Sequence, residues 1–433
     1  MAEKITRLRE PTRRVRASLR GSTQTTTVTN LIIVGAHALA GIVSARALGP
    51  AGRGQLTIVV LWAAVIHTVG SLGLHSSCSY HLARWPDRRA VLVTWLKRIA
   101  ARQAIAMTAV STIILWWLHL RLRLTPLLTI EYMTWAAAAT ITLYGTAYAQ
   151  GSGDFTRFNA IRMISSVIPA ALIVASALAL RLTPAEAGAA YLVPTWSSAV
   201  IAYIWLRRAG NRVPAEPLSA RERRSIWSYG WRSVASLSSL MLNSSADQLT
   251  LALLAPAGSL GLYSVGAAAS SPLPALIASF GMVGLPTVAP LAGQVKATAT
   301  WRILRRAACL LALTAPPLAA LLPWGLSWVY GPRYSAAVIP AELLLVGAVF
   351  AALTTVTDDL LRAHGLPGFV SITQGAGGAL TVIGVLLVGG RPLGAVALVS
   401  SLGFMVAFAL AITRLYAATY SLRPGNRQRV AIG

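Results

Sequence analysis

Charged side chains are scarce in this sequence. They make up 12% of its 433 residues, whereas 55% are hydrophobic. A soluble globular domain carries roughly 25% charged residues, so about half of the usual charge is missing. Apolar runs close to about 20 residues, the length that crosses a bilayer as a helix, recur along the chain. The composition excludes an ordinary soluble protein and predicts an all-α transmembrane protein.

Acidic residues are the scarcest charged type, with 12 Asp and Glu against 38 Lys and Arg and a formal net charge of +26. Such a balance can indicate nucleic-acid binding. Here, however, the Lys and Arg cluster in short connections between apolar runs, which is typical of cytoplasmic loops. We therefore predict no nucleic-acid partner, and we expect membrane lipids to surround the chain.

Cysteine is almost absent as well. Cys78 and Cys309 both lie in apolar runs, so the sequence predicts neither a disulfide framework nor a zinc site. His75 and His81 flank Cys78 at steps of three residues, which spreads the two histidines around a helix. The sequence therefore predicts no metal site.

Apolar windows predict twelve transmembrane helices, and the start of the third is the hardest to place because a basic amphipathic segment begins near Arg88. The predicted ranges are 27–48, 56–82, 99–120, 130–150, 161–180, 186–206, 230–254, 260–288, 304–324, 337–361, 369–389 and 393–415.

An even number of spans places both termini on one side of the membrane, and the distribution of basic residues indicates which side. The opposite side holds only Arg46, Arg53, Arg121, Arg123, Arg181, Arg333 and Arg391. Every other Lys and Arg lies on the side of the termini, which the positive-inside rule makes cytoplasmic. We predict a multi-pass protein of a bacterial plasma (inner) membrane with both termini in the cytoplasm.

The longest polar connection follows the sixth predicted helix and divides the chain into two halves. Pro50-Ala51-Gly52 recurs as Pro256-Ala257-Gly258, each time after the first helix of a half, which indicates an internal parallel repeat. Two pseudo-symmetric six-helix lobes are therefore predicted. The predicted domains are a basic cytoplasmic tail (1–26), an N-terminal lobe (27–206), a cytoplasmic linker (207–229), a C-terminal lobe (230–415) and a second basic cytoplasmic tail (416–433).

Three segments carry a resemblance to a known family. They are Ala45-Arg46-Ala47-Leu48-Gly49-Pro50-Ala51-Gly52-Arg53-Gly54-Gln55, the stretch from Asp247-Gln248-Leu249 to Gly261-Leu262-Tyr263-Ser264, and the stretch from Tyr330-Gly331-Pro332 to Leu361-Arg362-Ala363-His364-Gly365. With these segments the chain resembles the polysaccharide-repeat-unit exporters of the multidrug/oligosaccharidyl-lipid/polysaccharide (MOP) flippase superfamily. The resemblance implies two six-helix lobes around a central cleft that opens alternately to either side of the membrane.

The same resemblance implies a function. It predicts a flippase for undecaprenyl-pyrophosphate-linked oligosaccharide repeat units, with other polysaccharide-assembly proteins as candidate partners. No cofactor is expected, and H⁺ or Na⁺ is the candidate coupling ion. A cation-coupled multidrug exporter of the same superfamily is the alternative. A membrane polymerase or glycosyltransferase is disfavoured, because the predicted external connections are short and none carries a paired carboxylate.

The seventh predicted helix carries a polar stripe at helical spacing, and the first helix carries a matching stripe 206 residues earlier. The stripe members are Arg232, Ser236, Ser239, Asn243, Asp247 and Thr250 on the seventh helix, and Asn30, His37, Gly41 and Ser44 on the first, with Arg46 just beyond the end of the first stripe. In a pseudo-symmetric protein both stripes would face the cleft.

Asp247, Arg232, Arg46 and Glu342 are candidates for the substrate pathway or for coupling, and each also allows a structural interpretation. An acid within a span costs on the order of 3 kcal/mol unless it meets water or a partner, so Asp247 either takes part in coupling or sugar binding or makes a structural hydrogen bond. Arg232 and Arg46 either bind the substrate pyrophosphate or extend to lipid headgroups. Glu342 is expected in the first turn of its helix, where an acid complements the helix dipole. Asp358 is predicted to pair with Arg362.

Overall fold

The computed structural model of the chain describes residues 2–179, 182–210, 217–389 and 392–420. Side chains within these ranges are described except at 2–24, 27, 210, 235–237, 282–283 and 285–286. The centre of the predicted linker, the end of the predicted C-terminal tail, and Arg181 and Arg391 lie outside the described residues.

The described residues contain helices and no strand, which confirms the predicted all-α class. The α-helices are α1 (Ala2–Gly70), α2 (Leu74–Arg84), α3 (Arg89–Leu122), α4 (Pro126–Met133), α5 (Trp135–Ser152), α6 (Phe155–Ala179), α7 (Pro184–Gly210), α8 (Ala220–Leu254), α9 (Ala257–Ser270), α10 (Pro272–Val288), α11 (Gly293–Tyr330), α12 (Val338–Ala363), α13 (Pro367–Val388) and α14 (Leu393–Tyr420). Short 3₁₀ turns at Pro86–Arg88 and Pro332–Ala337 precede α3 and α12.

Eight helices in the described part are long and apolar enough to cross a membrane, and a ninth span is added if the bent pair α9–α10 counts as one. The protein is therefore a multi-pass membrane protein. The count of twelve spans and the cytoplasmic termini stay predictions.

Several helix boundaries differ from the predicted ones for identifiable reasons. α1 is sharply kinked at Gly49, which takes φ 66°, ψ 179° directly before Pro50. α3 begins at Arg89, ten residues before the predicted start at 99, because the basic amphipathic segment continues the helix beyond its apolar part. The predicted range 260–288 consists of α9 and α10, which meet at Ser271 with a bend of 44°.

The chain divides into two compact units. Unit 1 contains the chain up to Ala47 together with Ile66–Ser233, and unit 2 contains Leu48–Val65 together with the chain from Val234 onward. The segment Leu48–Val65, which the sequence places in the N-terminal lobe, thus belongs to unit 2. The predicted lobe boundaries stay predictions.

In unit 1, α5 packs against α2, α3, α6 and α7. A buried cluster formed by α2, α3, α5 and the start of α8 includes Leu74, Leu92, Tyr144 and Ile226. The start of α8 is therefore held to α2 by apolar packing, and the Ser77 hydroxyl adds a hydrogen bond of 2.7 Å to the Ile226 carbonyl.

In unit 2, α12 packs against α9, α10, α11 and α14. Small residues allow α12 and α14 to approach closely, as is common between membrane helices. A Cβ built on Gly347 would lie 2.6 Å from Ser401 Oγ, and that hydroxyl donates to the Leu343 carbonyl at 2.7 Å. The repeated Pro-Ala-Gly turns also meet within this unit, at Gly54 and Gly261.

Candidate functional site

The buried part of the α8 stripe lies in unit 2, where Asn243, Asp247 and Thr250 are almost fully shielded from solvent. Asp247 accepts hydrogen bonds at one oxygen from Tyr263 Oη at 2.6 Å and from Ser400 Oγ at 2.9 Å. Its other oxygen lies 2.7 Å from the backbone nitrogen of Gln248. The carboxylate of α8 is thus bound by hydroxyl groups of α9 and α14.

A second polar connection joins α8 to α12 through the side chain of Gln374 on α13. Asn243 Nδ2 donates to Gln374 Oε1 at 2.6 Å, and Gln374 Nε2 donates to Asp358 Oδ2 at 2.7 Å. The remaining oxygens, Asn243 Oδ1 and Asp358 Oδ1, are buried without a hydrogen-bond partner among the described residues. Such oxygens are costly in a low-dielectric interior unless they meet a proton, a cation or water.

A pocket of about 300 Å³ in unit 2 lies against this network, and Asn243, Asp247 and Gln374 are among its lining residues. The lining also includes the hydroxyl-bearing Ser244, Ser270, Ser271, Thr354 and Thr355. A proton or a hard cation such as Na⁺ binds preferentially to carboxylate and neutral oxygen atoms. This helical unit supplies two carboxylates and many neutral oxygens. We refer to Asn243, Asp247, Asp358 and Gln374 as the acidic network.

Other members of the two stripes have structural contacts. Thr250 Oγ1 donates to the Ala246 carbonyl at 2.7 Å, and Ser44 Oγ donates to the Gly41 carbonyl at 3.2 Å. These hydroxyls satisfy the backbone of their own helices. Ser239 is half-buried on α8, and the side chain of Ser236 lies outside the described residues.

The α1 stripe lies in unit 1. Asn30 is half-buried, and its Oδ1 is buried without a partner among the described residues. His37 is exposed and lines a pocket of about 470 Å³ together with His75, Trp135 and Arg162. The expectation that both stripes face one cleft stays a prediction.

Arg232 lies in unit 1 and lines a pocket of about 450 Å³ with Arg84, Arg221 and His81. Its guanidinium donates to the carbonyl and hydroxyl oxygens of Ser228 at 3.2 and 3.0 Å. The aromatic wall of this pocket is the stacked pair Tyr80 and Tyr229, with ring centroids 4.8 Å apart. We refer to it as the arginine pocket.

The acid in the arginine pocket, Glu222, is already neutralised by Arg88. Two nitrogens of Arg88 donate to the two carboxylate oxygens of Glu222 at 3.2 and 3.1 Å. Glu222 also forms a capping box with Ser219 at the start of α8. The hydrogen bonds from Arg88 and from the Ser219 backbone lower the pKa of Glu222 to about 2. The pocket therefore keeps a cationic surface suited to phosphate oxygens.

Glu342, Arg362 and Arg46 belong to neither the acidic network nor the arginine pocket, and the first two differ from the sequence predictions. Glu342 is exposed and follows the first turn of α12, because that helix begins at Val338, so the predicted complement to the helix dipole is wrong. Arg362 forms a local ion pair, but its acid is Asp359, at 2.7 Å, rather than Asp358. Asp358 faces Gln374 instead. Arg46 is exposed at the end of the first part of α1.

Sequence reasoning missed Gln374, Tyr263 and Ser400. Gln374 stands alone as an amide within the apolar run of α13, which is the same signal that identified Asp247. Tyr263 and Ser400 give no such signal, since hydroxyl groups are common in membrane helices and usually bond to their own backbone.

Residues 19–291 match the profile of a family described as polysaccharide biosynthesis protein. No curated protein matches the sequence at a significant level.

Several solved structures share the architecture. An inward-facing multidrug resistance transporter of the MATE family and MOP superfamily aligns with a TM-score of 0.69 and 13% identity, over 89% of this chain and 95% of that one. The lipid II flippase MurJ in an inward closed conformation aligns with a TM-score of 0.68 and 11% identity, over 91% and 90%. A MOP superfamily transporter from Pyrococcus furiosus aligns with a TM-score of 0.52 and 14% identity, over 93% of each chain. At these identities the likeness establishes a shared fold, which is the fold of MOP-type transporters.

Proposed function

Because this chain belongs to the polysaccharide biosynthesis protein family, we propose that it is a transporter that flips undecaprenyl-pyrophosphate-linked oligosaccharide repeat units across the bacterial plasma (inner) membrane. The observation that carries the proposal is the match to this family over residues 19–291. The shared fold supports it, since one of the similar structures is named as a flippase of lipid II. Alternating access by two lobes would provide the mechanism.

The arginine pocket supports recognition of the pyrophosphate. Three guanidinium groups, those of Arg84, Arg221 and Arg232, line one pocket of about 450 Å³, and its acid Glu222 is bound by Arg88. Guanidinium groups match phosphate oxygens in geometry and stay charged at any physiological pH. The Tyr80–Tyr229 stack offers an aromatic face beside them, as carbohydrate- and lipid-binding surfaces often do.

The acidic network supports coupling to H⁺ or Na⁺. Asp247 and Asp358 lie in one helical unit, and the network includes two buried oxygens without a partner among the described residues. A cation or proton that binds there would change which hydrogen bonds Gln374 and Tyr263 make. Such a change biases the packing of α8 against α13 and α9, which is the kind of two-state element that ion coupling requires.

Complementation tests the proposal. The chain is expressed in a bacterial strain that lacks its own repeat-unit exporter, and surface polysaccharide is scored. We expect polymer to be restored by the wild type and lost in Asp247→Asn, since the amide keeps the size of the side chain and removes its charge.

The matched control is Asp359→Asn, which removes the half-buried acid that follows Asp358 in the chain and pairs with Arg362. It is expected to restore polymer like the wild type. Full transport by Asp247→Asn at normal expression would end the coupling role of Asp247. Failure of the wild type, together with drug resistance gained in an efflux-deficient host, would replace the flippase by a multidrug exporter.

A further inference from the structure

The basic start of α11 forms a pocket with the end of α14 in unit 2. The pocket has a volume of about 630 Å³, and its lining includes Trp301, Arg302, Arg305 and Thr419. No acidic residue lines it. Within the described part of the chain, neither Arg302 nor Arg305 forms an ion pair. The pocket therefore presents two uncompensated guanidinium groups to whatever occupies it.

Aromatic groups with polar tips border these arginines. Trp301 Nε1 donates to Thr419 Oγ1 at 3.2 Å, and the Trp301 and Tyr416 rings lie edge to face with centroids 6.3 Å apart. Tyr416 stacks in turn on Tyr420. Tryptophan and tyrosine concentrate where hydrocarbon gives way to lipid headgroups.

The exposed residues of α11 continue from this pocket as an apolar face. Beyond the arginines, large apolar side chains are exposed at Leu313, Leu321, Trp324 and Trp328. Their spacing of three to eight residues keeps them near one side of the helix. The exposed surface of α11 is thus cationic at one end and apolar along the rest, which is the pattern of a helix surface in contact with lipid.

The length of this surface fits a bilayer. At 1.5 Å per residue, Arg302 lies about 39 Å from Trp328 along the helix. A bilayer with its headgroup regions is about 40–45 Å thick. When Trp324 and Trp328 lie at one interface, Arg302 and Arg305 therefore lie at the headgroup level of the other.

From this placement we propose that the pocket of Trp301, Arg302, Arg305 and Thr419 binds the headgroup of an anionic glycerophospholipid. The phosphate diester would accept hydrogen bonds from the two guanidinium groups, which can each engage it with two nitrogens. The acyl chains would lie along the apolar face of α11. The site is separate from both the acidic network and the arginine pocket, and it does not depend on the transported substrate. Pockets of this kind, lined by basic residues between membrane helices on the side of the membrane where Lys and Arg concentrate, are suited to such lipids.

Native mass spectrometry of the purified full chain in detergent tests this site. The protein is titrated with phosphatidylglycerol and, separately, with phosphatidylethanolamine of the same acyl chains. An arginine near an anionic headgroup contributes about 1 kcal/mol, or about fivefold in affinity, so two of them together give a preference for phosphatidylglycerol of about 25-fold. We expect Arg302→Gln/Arg305→Gln to lose this preference, and Arg302→Lys/Arg305→Lys to keep part of it.

Arg306→Gln is the matched control, because Arg306 is exposed on the same helix but does not line the pocket. It should keep the preference for phosphatidylglycerol. The arginines are exposed, so none of these variants should lower the unfolding midpoint in lipid-free detergent. Equal binding of the two lipids by the wild type, or an unchanged preference in Arg302→Gln/Arg305→Gln, would overturn the proposal. Displacement of phosphatidylglycerol by a lower concentration of undecaprenyl phosphate would overturn it as well, and would assign the site to the carrier lipid.

Discussion

The close contact between the two repeated turns makes Gly261→Ala the sharpest test of the packing in unit 2. A Cβ at Gly261 would overlap the Pro50 carbonyl group, lying 2.8 Å from its carbon and 3.0 Å from the backbone nitrogen of Gly54. Carbon atoms in contact lie about 3.5–4.0 Å apart, so the backbones would have to separate by about 1 Å. Backbone cannot rotate out of the way as a side chain can.

The expected magnitude combines two opposing effects. Overpacking costs about 1–3 kcal/mol, and the backbone overlap places this site at the upper end. Alanine regains about 1 kcal/mol over glycine in a helix. The net loss is about 2 kcal/mol, which lowers the unfolding midpoint of a chain of this length by roughly 2 °C.

Thermal unfolding of the purified protein in detergent measures this difference. Gly258→Ala is the control, because Gly258 belongs to the same helix and a Cβ there meets nothing within 4 Å. It should unfold at or slightly above the wild-type temperature. If Gly261→Ala proved as stable as Gly258→Ala, the turns would not be in contact and the packing argument would be wrong.

Two further predictions concern the polar contacts. Gln374→Leu leaves Asn243 and Asp358 without their shared partner, so it should destabilise by about 2–5 kcal/mol in thermal unfolding, whereas Gln150→Leu, at an exposed position, should change little. Glu222 has a pKa of about 2 in the folded chain against an ordinary 4.5, so its contribution to stability is present above pH 4.5 and is lost as the pH falls towards 2. Unfolding midpoints measured across this window should fall more steeply for the wild type than for Arg88→Gln, and parallel curves would refute the role of the pair.

The fold class follows from composition and apolar run length because the bilayer constrains both. Apolar runs locate the helices well, but they cannot reveal where a helix extends beyond the membrane. The start of α3 at Arg89 is an example, since basic residues interrupt the apolar run there although Leu92 and Leu96 are buried. The bend at Ser271 leaves the apolar run uninterrupted, and its signal in the sequence is the proline that follows directly, Pro272.

The candidate site was partly predictable. Asp247 and Asn243 stood out as polar groups inside an apolar run at helical spacing, and the structure buries both in the lining of one pocket. Their partners come from α9, α13 and α14, more than ten residues away in sequence, and only tertiary packing selects them. The choice of Asp359 over Asp358 as the partner of Arg362 depends on helix rotation, which spacing at three or four residues does not decide.

Translocation by the purified chain in proteoliposomes tests the proposed flippase function directly. An undecaprenyl-pyrophosphate-linked oligosaccharide is placed in the inner leaflet, and its appearance outside is followed with an impermeant sugar-oxidising reagent. If the chain is a flippase, we expect exposure of the sugar with the wild type, and slower exposure with Arg84→Gln/Arg232→Gln. Exposure no faster than in protein-free liposomes, under any H⁺ or Na⁺ gradient, would contradict that function.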